Sequence, residues 1–131
     1  MNQEQLEIVL MDMFLSGNEP VLKDLRDQYK NSQIKSRQFT GAGFYTYFKT
    51  KPGIAPLANK KNFEITDISA KVGKVEDALG FVLFVRDGYI SWLEGYTMAL
   101  DDWPHDYSNV DLIYNYPEGN RDFVELKKKW S

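Results

Sequence analysis

The chain has 131 residues, a formal net charge of −3 and no cysteine. Its hydrophobic content of 43% and aromatic content of 15% exclude a disordered chain and predict a single domain over residues 1–131 with its own core. The lack of cysteine excludes disulfides, thiolate metal sites and cysteine nucleophiles.

Two helices are predicted near the N-terminus. Apolar residues at three- and four-residue spacing indicate a helix over residues 3–16, with Asn2 as its N-cap. A second helix over residues 19–31 has Pro20 in its first position, and the short break between the two is typical of a helical hairpin. The apolar stripe of the first helix is wider than that of an ordinary surface helix, which indicates deep burial or self-association.

A pair of strands and a long loop are predicted next. Residues 33–39 and 42–49 alternate in polarity, and Gly41 and Gly43 indicate a turn or a bulge between them. These glycines also permit a ligand to approach the backbone closely. Residues 51–62 contain two prolines, and we expect either a packed connection or a binding loop there.

The middle of the chain gives the clearest local signal. Asp87-Gly88 separates two apolar runs and favours a type I′ turn, so residues 80–86 and 89–96 are predicted to form a hairpin. The first of these strands is apolar on both faces, and we therefore expect it to be covered on both sides. Ahead of it, the sequence predicts a strand over 63–72, with a bulge where the apolar phase changes, and then a connection over 73–79.

The remaining segment is polar and aromatic before it becomes regular again. Residues 95–109 are expected to form an acidic loop with a short helical turn near Trp103. Residues 110–116 alternate and predict an edge strand, followed by a turn over 117–120. Residues 121–130 fit a helix or a last strand, and we favour the helix because its lysines would lie at the C-terminal end.

These elements together predict the fold class. We expect an α+β domain in which a twisted antiparallel sheet of five to six strands carries the two N-terminal helices packed on one face, with a possible C-terminal helix. The wide apolar stripe of the first helix and the edge strand at 110–116 both permit a homodimer.

Charge is distributed unevenly along the chain. Residues 20–61 contain nine Lys or Arg and two Asp, whereas residues 87–120 contain seven acids and no Lys or Arg. The acidic half opposes binding to a phosphate backbone, so we expect no nucleic-acid partner, and it favours docking of a basic protein. Solvated carboxylates in turns are the plainer explanation.

Membrane spans and signal peptides are the features of a sequence that predict the cellular compartment. No stretch approaches the roughly eighteen apolar residues of a membrane span. The N-terminus also lacks the basic region of a signal peptide. We therefore expect a cytoplasmic protein without a membrane partner.

Catalytic chemistry has a weak basis in the sequence. His105 is the only histidine, and it lies in a segment with several acids but without a nucleophile elbow or a metal-ligand spacing. We expect no metal and no cofactor. The alternative is a small-molecule site or a hydrolase, with Glu94 and His105 converging between the sheet and the loops at 50–62 and 95–109.

The leading hypothesis is a non-enzymatic interaction module with an acidic, aromatic docking face. Aromatic anchors surrounded by charge are typical of protein interfaces. The candidate contacts are therefore the aromatic and acidic residues after the hairpin turn: Trp92, Glu94, Tyr96, Asp101, Asp102, Trp103 and Asp106.

Three segments resemble a group of small uncharacterised bacterial proteins. They are Phe39–Thr46, Phe81–Gly88 and Trp92–Thr97, the last followed by Trp103-Pro104. The resemblance is one of pattern over residues 37–116 and brings no catalytic motif with it. In size and acidity the chain is also similar to immunity proteins, which implies an inhibitor of a basic toxin as one form of the interaction module.

Overall fold

The structure is a computed structural model that describes residues 1–116 and 119–131. The predicted turn over 117–120 includes Pro117 and Glu118, which lie outside the described residues. The described part contains six strands and three α-helices. Their bounds are α1 Gln3–Phe14, α2 Pro20–Lys30, β1 Ser32–Thr40, β2 Gly43–Thr50, β3 Phe63–Val72, β4 Val75–Arg86, β5 Tyr89–Thr97, β6 Val110–Tyr114 and α3 Phe123–Lys127.

The six strands form one open antiparallel sheet in the order β1-β2-β5-β4-β3-β6. The hairpin of β1 and β2 therefore pairs with β5 and not with β3, its neighbour along the chain. Strands β1 and β6 are the two edges, and the predicted edge position of residues 110–116 is confirmed. The α+β class with its antiparallel sheet is confirmed as well.

The helices pack on one face of the sheet because each presents an apolar stripe to it. Helix α1 starts with a capping box, in which Asn2 Oδ1 accepts from the Gln5 amide at 2.8 Å and Gln5 Oε1 accepts from the Asn2 amide at 2.9 Å. Helix α3 confirms the predicted C-terminal helix. The core between helices and sheet contains Leu6, Leu10, Phe14, Leu22, Leu25, Phe44, Ile65, Phe81, Leu83, Leu93 and Leu126, all less than 3% exposed.

A buried carboxylate fixes α1 to the β1–β2 hairpin. Glu7 is only 2% exposed, and Arg37 Nε and Nη2 donate to its two oxygens at 2.8 and 2.7 Å. Thr46 Oγ1 and Gln3 Nε2 also donate to it, at 2.5 and 3.1 Å. Burial alone would raise the pKa of Glu7, but these hydrogen bonds and the charge of Arg37 outweigh it and lower the pKa.

The central hairpin has the predicted turn. Asp87 and Gly88 have φ of +52° and +79°, the conformation that a type I′ turn requires. The strand register shifts between Phe84 and Val85, which bulges β5 and turns both Ile90 and Leu93 towards the core. This bulge was not predicted from the sequence.

Three sequence-based expectations about local structure are wrong. Residues 73–79 are not a connection, because β4 begins at Val75 and pairs with Val72 across a tight turn at Gly73. Asp77, with φ of +48°, interrupts the alternation that would have revealed this part of the strand. The segment near Trp103 forms no helical turn, and β4 is covered by helices on one face only, since Val82 stays partly exposed on the other.

The loop over residues 51–62 is a packed connection. Its Leu57 is 4% exposed, and the Leu57 amide donates to the Gly88 carbonyl at 2.9 Å. The Gly88 amide in turn donates to the Lys61 carbonyl at 2.9 Å. The loop therefore closes over the hairpin turn and borders a cavity at that end of the sheet.

Candidate docking face

The face of the sheet opposite the helices, called the open face below, carries a cluster of aromatic side chains. Alternation along β2, β4 and β5 places every second residue on this face. The open face comprises Tyr45, Tyr47, Val82, Phe84, Arg86, Trp92, Glu94 and Tyr96. Most of these side chains are half-buried.

The rings on the open face form a continuous row across three strands. Phe84 and Trp92 stack with their centroids 4.5 Å apart and their planes at 18°. Tyr47 lies 6.3 Å from Trp92, and Tyr45 lies 6.3 Å from Tyr47 with nearly parallel planes. The row offers a wide, rigid apolar surface to a partner.

One cation of the protein itself lies on this row. The Arg86 guanidinium is 5.2 Å from the centroid of Phe84 and 5.4 Å from that of Trp92. Its Nη1 also donates to Glu64 Oε2 at 3.0 Å. The guanidinium is stabilised both by the faces of the aromatic rings and by the charge-assisted hydrogen bond with the carboxylate.

Glu94 occupies the centre of the open face. It lies directly opposite Tyr45 on β2 and Val82 on β4, and Trp92 and Tyr96 flank it on its own strand. Among the described residues, no Lys or Arg nitrogen lies within 4 Å of its carboxylate. The negative charge of Glu94 raises the pKa of Tyr45.

The Tyr96 ring packs against the sheet because Gly80 beneath it has no side chain. A Cβ atom at Gly80 would lie 2.5 Å from Tyr96 Oη and equally close to the ring. The ring therefore lies over the backbone of β4 and remains 37% exposed on its outer side. Gly80 thus allows the Tyr96 ring to lie close to the sheet beside Glu94.

The predicted acidic contacts after β5 lie elsewhere. Asp101, Asp102 and Asp106 are exposed in the connection between β5 and β6, outside the sheet. Asp106 Oδ1 accepts from the Ser108 hydroxyl at 2.5 Å and from its amide at 3.0 Å, and these bonds lower the pKa of Asp106. Asp106 thus stabilises its own turn.

Trp103 does not belong to an exposed docking face, which corrects its assignment as a contact. The side chain is 8% exposed and packs edge-on against Phe44 and Phe81 on the helix side of the sheet, at 5.4 and 6.1 Å between centroids. Its Nε1 donates to Tyr107 Oη at 3.0 Å. Trp103 is therefore a core residue that anchors the β5–β6 connection.

Glu94 and His105 are not brought together. His105 lines a cavity of about 580 Å³ at the start of α1, with Gln3, Phe39 and Tyr107 among its walls, whereas Glu94 faces the opposite side of the sheet. Within residues 1–116 and 119–131, no group of three or more His, Asp or Glu side chains is arranged to hold a metal ion. The geometry gives no support to a hydrolytic site that uses this pair.

Several residues of the open face were missed in the sequence. The sequence shows the alternation of Tyr45 and Tyr47 on β2, and it places Phe84 on the second apolar face of β4. Phe84 meets Trp92 within the predicted β4–β5 hairpin, but the meeting of Tyr45 and Tyr47 with this strand depends on the pairing of β2 with β5, which joins distant parts of the chain. No local pattern in the sequence indicates that pairing.

Comparison with known proteins assigns the chain to no family. No family model matches it, and searches of curated proteins and of solved structures found no significant match. Of the helices in the described residues, none has the length and apolar character needed to cross a membrane. The arrangement of side chains on the open face is therefore the basis for the functional proposal.

Proposed function

We propose that the protein is a non-enzymatic interaction module whose open face receives a lysine or arginine side chain of a basic protein partner. The observation that carries this proposal is the central position of Glu94, a carboxylate without a cationic partner among the described residues, between the rings of Tyr45, Trp92 and Tyr96. A carboxylate framed by aromatic rings attracts a cation through its charge and through the ring faces.

Arg86 supports this proposal from within the molecule. It combines the faces of Phe84 and Trp92 with the carboxylate of Glu64, the same chemistry that Glu94 and its neighbours offer to an incoming cation. Cation–π contacts contribute about 0.5–2 kcal/mol, depending on how far they are shielded from water. Rigid aromatic anchors around such a charge are also frequent among the strongest contacts of interfaces.

One concrete form of the partner is a basic toxin, for which this chain would be an immunity-type inhibitor in the bacterial cytoplasm. The excess of acids in residues 87–120 supports this form, because it would attract a basic surface over a distance and increase the association rate. Asp101 and Asp102 would contribute to that attraction without contacting the bound side chain.

The proposal is tested with a defined cationic probe. The peptide acetyl-Gly-Lys-Gly-Lys-Gly-amide is titrated into the ¹⁵N-labelled protein, and its glutamate counterpart serves as the charge control. We expect amide shifts confined to residues 44–47 and 92–96, with binding that weakens as salt is added. Glu94→Gln should weaken binding about tenfold, which is the loss of one charge-assisted contact.

Asp101→Asn is the matched control, since it removes the same charge from the exposed connection. We expect it to change the affinity less than about twofold. Equal weakening by the two variants, or amide shifts centred on residues 101–106, would transfer the docking site to the connection and contradict the role of Glu94.

A further inference from the structure

A second surface, at the hairpin end of the sheet, has the opposite charge. A cavity of about 420 Å³ lies between the β2 end with its following loop and the turn of β4 and β5. We propose that it binds a small organic anion, with a carboxylate or phosphate group held by Lys49 and Lys51 and an apolar body against Phe48 and Tyr89. This inference is independent of the function proposed for the open face.

The shape and walls of the cavity fit such a ligand. Its volume falls within the usual range for small-molecule sites, and its walls combine apolar side chains with polar and charged ones. Phe48, Ile54, Tyr89 and Ile90 supply the apolar walls. Tyr89 Oη donates to the Ile54 carbonyl at 2.7 Å, which ties the loop to the hairpin and keeps the cavity formed without a ligand.

The charges around the cavity favour an anion. Lys49, Lys51 and Arg86 line it together with one acid, Asp87. Arg86 is paired with Glu64, but within the described part of the chain neither lysine has a carboxylate within 4 Å. The two ammonium groups are thus available to a ligand that approaches from solvent.

An unsatisfied hydroxyl is the second observation. Thr50 lines the cavity, and its Oγ1 is buried and makes no hydrogen bond with any described residue. A buried hydroxyl without an acceptor lowers stability, and such groups in folded proteins are uncommon. A ligand oxygen that reached this hydroxyl from the cavity would accept its hydrogen bond.

The first test compares three probes that share a phenyl ring. Phenyl phosphate and benzoate carry the two candidate anionic groups, and benzyl alcohol carries none. Titration of each into the ¹⁵N-labelled protein should shift amides of residues 49–54 and 86–91 with one or both anions and not with the alcohol, and the stronger anion identifies the class. Equal binding of the alcohol, or no shift in these residues with either anion, would overturn the proposal.

The second test separates binding from folding. Lys51→Met should weaken binding of the better anion about fivefold. The control is Lys23→Met, at an exposed lysine on α2, which should leave the binding unchanged.

Thr50→Val keeps the shape of the side chain and removes the hydroxyl. We expect it to raise the unfolding midpoint of the free protein and to weaken anion binding about threefold. If Thr50→Val is more stable but binds the anion with unchanged affinity, and Lys51→Met also binds it with unchanged affinity, the cavity is not an anion site.

Discussion

At the scale of single residues, Gly95 shows how tightly the strands and rings are packed. A Cβ atom at this position would overlap the Phe44 ring and lie 2.8 Å from Trp103 Cη2. The Gly95 carbonyl in turn fills the space where a side chain of Gly43 would be. These glycines therefore permit close approach of two strands and two rings.

We expect Gly95→Ala to lower the free energy of unfolding by about 1–3 kcal/mol, because the added methyl group must displace packed rings. Urea denaturation followed by far-UV circular dichroism measures this change. Gly41→Ala is the control, since no atom lies within 4 Å of the added Cβ there, and its effect should stay within about 0.5 kcal/mol. Similar effects of the two variants would contradict the packing argument.

The same residues show what the sequence does not reveal. Gly41 and Gly43 were interpreted as a turn or bulge that also permits a ligand to approach the backbone. The turn is correct, since Gly41 and Ala42 connect β1 to β2. The space beside Gly43 is filled by Gly95, and this contact depends on a strand pairing that no local pattern encodes.

At the scale of secondary-structure elements, Gln28 connects α2 to the central hairpin. Its side chain is 2% exposed, and its Nε2 donates to the Gly88 carbonyl at 2.8 Å while its Oε1 accepts from the Ile90 amide at 3.0 Å. Gln28 was not among the predicted core positions. It lies three and seven residues after Leu25 and Val21, so helical spacing alone placed this polar residue on the buried stripe.

We expect Gln28→Met to lower the free energy of unfolding by about 1–3 kcal/mol, because the buried Ile90 amide loses its acceptor while the shape of the side chain is kept. Hydrogen exchange should also become faster at the amides of residues 88–90. Gln33→Met, an exposed position on β1, makes the same chemical change without burial and should have little effect. Unchanged exchange in the turn would argue against this bridge.

Elements with local signals were predicted well. The N-cap of α1 and the Asp87-Gly88 turn depend on neighbouring residues, and both lie where the sequence indicated them. The start of β4 was missed because Asp77 breaks the alternation. The burial of Trp103 was missed because the acidic residues next to it in the sequence suggest a surface position. Its ring packs instead on Phe44, which is far away in the sequence.

At the scale of the whole molecule, stability should depend on pH through Glu7. The pKa of Glu7 is lower in the folded chain than in the unfolded one. At a pH between these two pKa values the unfolded state therefore binds more protons than the folded state. The resulting stabilisation is complete above the unfolded pKa of about 4.3 and is lost as the pH falls through the lower folded value.

We expect Glu7→Gln to lower the free energy of unfolding at pH 7 by about 1–3 kcal/mol, since Arg37 loses its ionic partner but remains partly hydrated. The variant should also lose stability less steeply than the wild type below pH 4.3. Urea denaturation between pH 2.5 and 7 measures both effects. Glu4→Gln, on the exposed side of the same helix, is the control, and an equal acid slope in wild type and Glu7→Gln would refute the assignment.

The arrangement of the whole sheet could be predicted only in part. Composition and periodicity were sufficient for the α+β class, the antiparallel sheet and the helices on one face. The second apolar face of β4 was expected to be covered, but it forms the floor of the open face beside Trp92 and Glu94. Periodicity cannot distinguish a face covered by its own chain from one that is left to solvent.

The strand order has a consequence for how the chain comes together. The β1–β2, β3–β4 and β4–β5 pairings each join segments that are close in sequence, so each can form as a local hairpin. The junction of β2 with β5, such as Tyr45 beside Glu94, instead joins remote segments, and the entropy of closing the intervening loop is lost there. Tyr45 and Tyr47 consequently become neighbours of Glu94 and Trp92 only when the β1–β2 hairpin meets the separately formed β3–β4–β5 unit.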